Sequence, residues 1–445
     1  MNYYDEHGVE EALRIKERLG GTVTLLTAGP ARAALALRSG LAMGADAAVH
    51  IVDPALEGAD HLGVATALAA AISVQHYDLI LCGKLATDDN AAIVGPALAE
   101  FLGFPQATAV TKLELGDGAA TVHREAEGAI EVLRVALLAV ITVERSINEP
   151  RYPSLPGIMK AKRTPVTTKT LGDLGLAPGE VGVAAARVEV LDLSPPPQRR
   201  AGRILQGEPA EMVKELVRLL HEEAMSSDIW VLAEYAGGRP RKITYELLGK
   251  ASALAQEAGG QVVALALGSG IAGAAQELAA YGADVVRVAD DPLLGQYTTD
   301  AYAAVIEPVV SVEESFLLMI GSTAMGRDLA PRLAARLGAG IVTDCATVEV
   351  VDGGVEATRP VMTRKAIARV AFRGDGIRIA VVLPNIFAPP QPDPSRVAEV
   401  LPISVALDPA SIRTQVLEVK AIARETLPLT EADIIVSGGR GLRGP

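Results

Sequence analysis

The loop at residues 83–96 contains the residue types best suited to bind a small anionic ligand. It has a glycine, a lysine, a threonine hydroxyl and two adjacent aspartates, and it follows a predicted strand at residues 78–82. Ligands of open α/β sheets bind where strands end, and the free N–H groups of a following helix attract phosphate. The loop therefore favours a phosphate or a ribose, with Asp88 or Asp89 accepting hydrogen bonds from sugar hydroxyls. The alternative is a surface loop in which an aspartate caps the helix.

A second glycine-rich segment, residues 268–273, has the spacing G-x-G-x-x-G and follows another predicted strand. With Asp290 at the end of the next strand, this pattern is typical of a dinucleotide-binding turn and would suit an NAD-dependent oxidoreductase. The corresponding segment of the first half, residues 29–32, lacks the spacing, and a chain with 43 glycines makes chance matches easy. We therefore favour a tight strand-to-helix turn here.

A third segment, residues 149–160, is stiffened by prolines and carries apolar side chains between polar flanks. On a rigid, exposed segment, Leu155 and Met159 could anchor a partner protein. The alternative is an ordinary loop that packs back on its own domain.

Composition excludes several classes of site and partner. Among 445 residues only Cys82 and Cys345 are cysteines, which excludes a disulfide framework and a multi-cysteine metal site. A net charge of −13 disfavours nucleic acid and anionic membranes as partners. The longest apolar run, near residues 135–143, is less than half of the ~20 residues that a membrane helix needs. No nucleophile–base motif or HExxH pair is present, so we expect neither hydrolytic catalysis nor a metal site.

The chain contains an internal repeat. Three short motifs occur in the same order in each half: a Gly-Gly pair that opens an apolar run, a Gly-Ala-Asp turn, and P-x-L-A-x-x-L-G. The copies begin at Gly20, Gly44 and Pro96 in the first half and at Gly259, Gly282 and Pro331 in the second. The two halves are therefore expected to share one fold.

Each half alternates short apolar runs with helical patterns, which predicts a parallel sheet with helices on both faces. The predicted strands are residues 23–27, 48–52 and 78–82 in the first half and 229–233, 262–267, 285–288 and 316–320 in the second. Later stretches of each half, separated by tight turns, predict antiparallel hairpin extensions.

Comparison of the halves predicts a missing central strand. The second half has a strand at residues 229–233 before its first helix, whereas the first half begins directly with the equivalent helix, residues 8–19. A doubly wound sheet has such a strand near its centre. Either another segment fills the position or the chain has lost its true N-terminus, and we favour the loss.

The remaining segments lie between and after the halves. A proline-rich linker precedes an amphipathic helix pattern at residues 208–223, which we interpret as a docking helix or as an arm that wraps another domain. A helical pattern covers residues 411–425. A strand at 433–436 then leads into Ser-Gly-Gly-Arg-Gly, an opening suited to phosphate that predicts the start of a third domain.

Together these segments resemble the electron-transfer flavoproteins, with the small (beta) subunit fused ahead of the large (alpha) subunit. Residues 1–226 are similar to the beta subunit, and residues 227–445 to the first domain of the alpha subunit. The beta-like motifs are NYYD at 2–5, AMGAD at 42–46, the loop at 83–96, NEPRY at 148–152 and PPQR at 196–199. The alpha-like motifs are LAE at 232–234, GRDLAPR at 326–332, TDC at 343–345, RP at 359–360 and VSGGRG at 436–441.

The patterns and the resemblance give the fold class as α/β. They imply two tandem, related, doubly wound and mostly parallel-sheet domains, Rossmann-like and of the adenine-nucleotide-hydrolase type, with antiparallel extensions and the first strand of a third domain. The implied divisions are a beta-like nucleotide-binding domain (1–195), an arm and helix (196–226), an alpha-like domain (227–428) and the start of an FAD-binding domain (429–445).

The resemblance further implies an electron carrier rather than an enzyme that turns over its own substrate. In this family an FAD passes electrons from flavin dehydrogenases, such as the acyl-CoA dehydrogenases of fatty acid β-oxidation, to a quinone oxidoreductase or another acceptor. The beta half binds AMP, or a second FAD in bifurcating members. The expected location is the cytoplasm, or the mitochondrial matrix in a eukaryote. The alternatives are the NAD-dependent oxidoreductase and a non-redox adenine-nucleotide sensor.

The resemblance also implies which residues form the sites, by matching positions of this chain to those of the family. The nucleotide site comprises Asn2, Tyr3, Tyr4, Asp5, Ala28, Gly83, Lys84, Leu85, Ala86, Thr87, Asp88, Asp89, Asn90, Ala91, Ala92, Ile93 and Val94. Tyr4 matches an aromatic residue near the flavin, and Arg440 matches the FAD-binding arginine. Leu155, with Met159 nearby, matches the anchor that docks into dehydrogenases. The arm after Pro197 matches the beta-subunit tail that clasps the flavin domain.

The chain also departs from the family. The first strand with its lead-in and most of the FAD domain are absent, so we expect weak flavin binding unless a separate chain supplies the missing parts. Asp89-Asn90 replaces the usual aspartate followed by threonine or cysteine, and Val94-Gly95-Pro96 is similar to the bifurcating branch. The choice between AMP and a second FAD therefore stays open.

Overall fold

The structure, a computed structural model, describes residues 1–195 and 228–421, apart from residues 272, 274, 313–315, 352 and 375. The predicted arm and helix at 196–226, the predicted strand at 433–436 and Arg440 lie outside these residues. Within the described ranges, no helix has both the length and the apolar character that crossing a membrane requires.

The first half supplies six of the described helices and nine strands. The helices are α1 (Tyr3–Leu19), α2 (Ala34–Met43), α3 (His61–Ser73), α4 (Val94–Leu102), α5 (Leu155–Arg163) and α6 (Pro178–Val181). The strands are β1 (Thr24–Ala28), β2 (Ala47–Ile51), β3 (Leu79–Gly83), β4 (Gln106–Gly116), β5 (Ala119–Ala126), β6 (Ala129–Ala136), β7 (Ala139–Val143), β8 (Thr167–Lys169) and β9 (Val188–Ser194). The three predicted strands are confirmed to within one residue as β1, β2 and β3.

The second half supplies four further described helices and thirteen strands. The helices are α7 (Lys242–Ala258), α8 (Ala275–Ala280), α9 (Thr299–Val312) and α10 (Ala324–Leu337). The strands are β10 (Ile229–Ala233), β11 (Tyr235–Ala236), β12 (Arg239–Pro240), β13 (Val262–Gly268), β14 (Val285–Asp290), β15 (Leu317–Gly321), β16 (Gly340–Cys345), β17 (Thr347–Val351), β18 (Gly354–Val361), β19 (Ala366–Phe372), β20 (Arg378–Val382), β21 (Glu399–Pro402) and β22 (Thr414–Ala421). The four predicted strands are confirmed as β10, β13, β14 and β15.

A seven-stranded parallel sheet forms the centre of the second half, in the order β16-β20-β15-β10-β13-β14-β21. Its strands β10, β13 and β15 are buried along their whole length, because helices cover both faces. Val231 points into the cluster that contains Leu247 of α7, whereas Trp230 joins the opposite cluster with Leu333 of α10. Alternate side chains of one strand thus fill both cores, as expected for a parallel sheet between helices.

The repeat is visible in equivalent hydrogen bonds. The Asp46 carboxylate accepts a bond from the backbone N–H of Val23 at 2.8 Å, and the Asp284 carboxylate accepts one from Val262 at 3.0 Å. Each aspartate thereby ties the turn before one strand to the start of its neighbour. The two halves share this local construction as well as the motifs.

The first half has the same arrangement divided into two sheets. Strands β4-β7-β3 belong to one sheet and β1-β2-β8 to another, whereas β10 joins the corresponding strands β15 and β13 of the second half. Among the described residues no strand lies between β1 and β3. The predicted gap at the centre of the first sheet is therefore confirmed.

The last described strand of each half pairs with a strand of the other half. β9 of the first half pairs antiparallel with β19, and β22 of the second half pairs antiparallel with β6. The helix predicted at residues 411–425 is therefore wrong, since β22 covers residues 414–421. Pairing with the edge of β6 prevailed over a local helical pattern, as tertiary contacts commonly override propensity.

Candidate functional site

The candidate loop connects β3 to α4 at the carboxyl end of the strand. The strand ends at Gly83 and the helix begins only at Val94. The residue before α4, Ile93, makes no side-chain capping bond, and the first N–H groups of a helix have no acceptor within it. The N-terminus of a helix carries partial positive charge, which suits a phosphate.

The N-terminus of α1 holds this loop by side-chain contacts. Asn2 donates from Nδ2 to the carbonyl of Leu85 at 2.9 Å and accepts from the N–H of Thr87 at 3.3 Å. The Asp5 carboxylate accepts from the N–H of Gly83 at 2.7 Å. The structure therefore brings the predicted N-terminal site residues and the predicted loop together.

The two adjacent tyrosines occupy different environments. Tyr3 is 51% exposed, and its ring lies edge-on to that of His7, with the ring centroids 5.0 Å apart. Tyr4 is partly buried, and its burial together with the nearby Glu144 carboxylate raises the pKa of Tyr4. Ala28 is the last residue of β1, which belongs to a different sheet from β3.

The second part of the loop is fixed by turns and by a contact between Asp89 and His61. Asn90 and Ala92 both have a φ of 57°, so the backbone turns sharply twice before α4. The Asp89 carboxylate lies 2.5 Å from Nε2 of His61 and accepts from the N–H of Ala91 at 2.9 Å. Burial raises the pKa of Asp89, but these hydrogen bonds and the charge on Arg359 outweigh burial and hold it below its usual value.

Residues of the second half hold the same loop, which sequence reasoning did not foresee. Arg359 donates from Nη2 to the carbonyl of Asp89 at 2.7 Å, and Thr343 donates its hydroxyl to the carbonyl of Ala91 at 2.9 Å. The N–H of Met362 bonds to the carbonyl of Asp88 at 2.6 Å. The motifs around Thr343 and Arg359 were visible in the sequence, but nothing in their spacing indicated contact with a loop more than 250 positions earlier.

Lys84, the loop's only lysine, is already paired. Its Nζ lies 2.7 Å from the Glu144 carboxylate, and the side chains are 25% and 19% exposed. Neutralised by this partner, Lys84 is a weaker phosphate ligand than its position in the sequence suggests.

The equivalent position of the second half is closed. α10 begins at Ala324, three residues after β15 ends at Gly321, whereas α4 begins eleven residues after β3 ends. Thr323 caps α10 by accepting from the N–H of Gly326 at 3.0 Å. Glu127, at the tip of the first half's β5–β6 hairpin, accepts from the N–H of Ala324 at 2.5 Å and lies 3.1 Å from Arg241. A carboxylate of the chain itself thus takes the place where an anion would bind.

The dinucleotide-like turn is also occupied by a carboxylate. Asp290 accepts from the N–H of Gly270 at 2.6 Å and from that of Ile271 at 3.1 Å. These are the N–H groups that a pyrophosphate would need. The geometry therefore favours the tight turn over the NAD-binding hypothesis.

The predicted docking segment is exposed and firmly attached. Leu155 and Met159, both in α5, are 79% and 51% exposed. Ser154 caps this helix by accepting from the N–H of Gly157 at 3.1 Å. Arg151, just before the helix, lies 2.8 Å from the buried Glu10 carboxylate of α1. Apolar side chains are thus presented outward from a rigid base.

A known protein family matches both halves of this chain. The sequence model of the electron transfer flavoprotein domain matches residues 1–174 and 229–408. The chain belongs to the electron transfer flavoprotein family. The predicted family, fold class and electron-carrier function are therefore confirmed.

Individual relatives match one half each. The beta subunit of the electron transfer flavoprotein of Bacillus subtilis is 43% identical over 225 residues, which is 50% of this chain and 86% of the relative. The beta subunit from Bos taurus is 40% identical over 206 residues, or 45% of this chain and 78% of the relative. The alpha subunit from Thermoanaerobacterium thermosaccharolyticum is 35% identical over 219 residues, 49% of this chain and 66% of the relative. These matches agree with a fusion of beta and alpha subunits, in which the beta relatives cover the first half.

Proposed function

We propose that the first half of this electron carrier binds an adenine nucleotide, as AMP or as part of a second FAD. The family in general implies flavin and AMP. The observation that carries the proposal is the long loop before α4, which ends at an uncapped helix N-terminus and is fixed by Asn2 and Asp5. The donor set suits the ligand, because helix N–H groups favour phosphate and carboxylates accept from ribose hydroxyls.

Electron transfer itself would depend on FAD. When bound, this group supplies the redox chemistry, while the protein supplies binding, orientation and electrostatics. Tyr4 and Arg440 are the residues of this chain that we propose next to the flavin, with Arg440 and the arm after Pro197 outside the described residues. We also propose the divisions 1–195, 196–226, 227–428 and 429–445, with β9 and β22 each pairing with a strand of the other half.

We propose flavin dehydrogenases, including acyl-CoA dehydrogenases, as electron donors and a quinone oxidoreductase or another oxidant as acceptor. Proteins of this family act with flavin dehydrogenases. The exposed Leu155 and Met159 on a capped helix support docking, since a few exposed apolar side chains commonly dominate such interfaces.

A binding experiment tests the docking segment. We expect Leu155→Ala to weaken binding to an immobilised acyl-CoA dehydrogenase by about tenfold or more, the loss typical of a truncated interface anchor. The matched control is Leu35→Ala, since Leu35 is 73% exposed on α2, outside the docking segment. Equal affinities of both variants, measured by surface plasmon resonance, would refute the proposed docking role.

A calorimetric titration of the full chain with AMP, FAD and NADH separates the candidate functions. We expect binding of AMP or FAD and no response to NADH. Binding of NADH alone would favour the NAD-dependent oxidoreductase, and Gly270→Leu would then abolish it, since Gly270 has a φ of 71° that a branched side chain rarely adopts. Binding of AMP, with or without FAD, supports the proposed nucleotide site, and a response to none of the three ligands would refute it.

A further inference from the structure

Arg359 is a buried cation at the boundary between the halves. It lies on β18 and is 5% exposed. Its neighbours on the same face of the strand, Ala357 and Val361, belong to the apolar core of the second half. A guanidinium in such a position needs compensation, because removing a charge from water without a partner is costly.

Among the described residues, Arg359 makes no salt bridge with a carboxylate. No Asp or Glu oxygen of these residues comes within 4.0 Å of its guanidinium nitrogens. Nη2 donates to the carbonyl of Asp89 at 2.7 Å and lies 3.2 Å from Oγ1 of Thr343. Nε is buried and has no hydrogen-bond acceptor. Since arginine carries five N–H donors and a permanent charge, this binding capacity is only partly used.

The position of the guanidinium links it to the candidate nucleotide site. Its two acceptors hold the loop, directly through Asp89 and through Thr343, which bonds to the carbonyl of Ala91. That carbonyl belongs to the segment just before the uncapped N-terminus of α4. The Asp89 carboxylate is engaged by His61 and by the N–H of Ala91, and it attracts Arg359 without forming a salt bridge with it.

The other cation of this loop is not free. Lys84 lies 2.7 Å from the Glu144 carboxylate. A phosphate bound at the N-terminus of α4 would therefore meet in Arg359 a cation that makes no salt bridge with a described carboxylate, beside the partial charge of the helix.

We propose that Arg359 is a ligand-binding residue that the second half contributes to the nucleotide site of the first half, where it neutralises a phosphate. The inference rests on the proposed function, because it presupposes an adenine nucleotide in the loop. It adds that the site is complete only when both halves are assembled. The recognised chemistry is an adenosine phosphate, which AMP and FAD share and adenosine lacks.

Titration of the full chain with AMP, FAD and adenosine tests the proposal. Arg359→Met removes the charge and retains an unbranched apolar stem. We expect it to weaken binding of AMP, or of FAD if FAD is the ligand, by about 10- to 100-fold, the usual effect of a lost charge-assisted hydrogen bond. Adenosine binding should stay within about twofold. The matched control is Arg369→Met, since Arg369 lies on the adjacent strand β19 and its half-exposed side chain pairs with Glu356.

The outcomes separate this inference from the proposed site. If the original chain binds AMP or FAD, and Arg359→Met weakens binding of the phosphorylated ligand and of adenosine equally or weakens neither, then Arg359 does not bind phosphate. The proposed nucleotide site is unaffected by that result. If the original chain binds none of the three ligands, the proposed site fails and the inference with it. Should Arg359→Met not fold, Arg359→Lys replaces it, because lysine keeps the charge but loses the planar fork. A loss of affinity for AMP that exceeds the loss for adenosine again supports the proposal, and equal losses overturn it.

Discussion

At the scale of single residues, Gly83 lies tightly against the N-terminal turn of α1. A Cβ at this position would lie 2.8 Å from the backbone nitrogen of Asp5 and 2.8 Å from the carbonyl carbon of Tyr4. We expect Gly83→Ala to lower the free energy of unfolding by about 1–3 kcal/mol, as overpacking commonly does. Urea unfolding measures the change. Gly116→Ala is the control, because its Cβ would meet nothing within 4 Å, and a loss as large there would refute the steric explanation.

Burial also predicts the reactivity of a thiol. The side chain of Cys345 is 0% exposed, and burial raises its pKa to about 12, so the thiolate is scarce at pH 8. In a Cys82→Ala background, we expect Ellman's reagent to leave Cys345 unmodified in the folded protein and to label it fully in urea. Complete labelling of the folded protein within minutes would contradict this.

Sequence reasoning found the loop residues but not all of their partners. Residues close in sequence, such as Gly83 and Thr87, could be grouped because a strand-to-helix loop is a local pattern. The pairing of Lys84 with Glu144 and the contacts of Arg359 and Thr343 depend on how distant strands come together. No periodicity or motif in one sequence encodes such contacts, so these roles could not be predicted.

At the scale of elements, the tip of the β5–β6 hairpin stabilises the start of α10. Burial raises the pKa of Glu127, but the hydrogen bond from Ala324 and the charge of Arg241 outweigh burial and hold it below its usual value. We expect Glu127→Ala to lower the free energy of unfolding by about 1–2 kcal/mol, as loss of a helix cap does. The control is Glu125→Ala, an exposed residue of the same hairpin. Equal stability of the two variants in urea would show that this contact contributes nothing.

Elements differed in how well local sequence predicted them. Strands such as β10 and β13 were predicted closely, because a strand buried on both faces has a continuous apolar run. The gap between β1 and β3 followed from comparing the repeats. The strand β22 was predicted as a helix, because most of its described side chains are exposed and its conformation is set by pairing with β6 rather than by its own pattern.

At the scale of the whole molecule, a buried polar cluster joins the halves. Asp328 of α10 accepts from the hydroxyl of Thr108 at 2.7 Å and from the hydroxyl of Tyr297 at 2.7 Å, and Arg124 lies 3.4 Å away. Thr108 and Arg124 belong to the first half. Removing one member of a buried charged pair usually costs about 3–5 kcal/mol, so we expect Asp328→Asn to destabilise the chain by this amount at pH 7. Urea unfolding measures the loss, and Asp117→Asn, in an exposed turn, should be neutral.

The same carboxylate predicts a dependence on pH. Burial raises the pKa of Asp328, but Arg124 and the hydrogen bonds outweigh burial and hold it below the usual value of about 3.9. Its stabilisation is therefore present above that value and is lost as the pH falls toward the lower pKa of the folded state. We expect Asp328→Asn to remove this part of the acid sensitivity. An unchanged slope of stability against pH below about pH 4 would contradict this assignment.

The two related halves differ at this position: α4 begins eleven residues after β3 ends, whereas α10 begins three residues after β15 ends and Glu127 accepts from its first N–H group. The stoichiometry of AMP or FAD binding to the full chain, measured by calorimetry, tests this asymmetry most directly. We predict one equivalent, which Gly83→Ala abolishes and Gly116→Ala retains. Two equivalents, or a single equivalent that Gly83→Ala leaves intact, would contradict a nucleotide site at this loop.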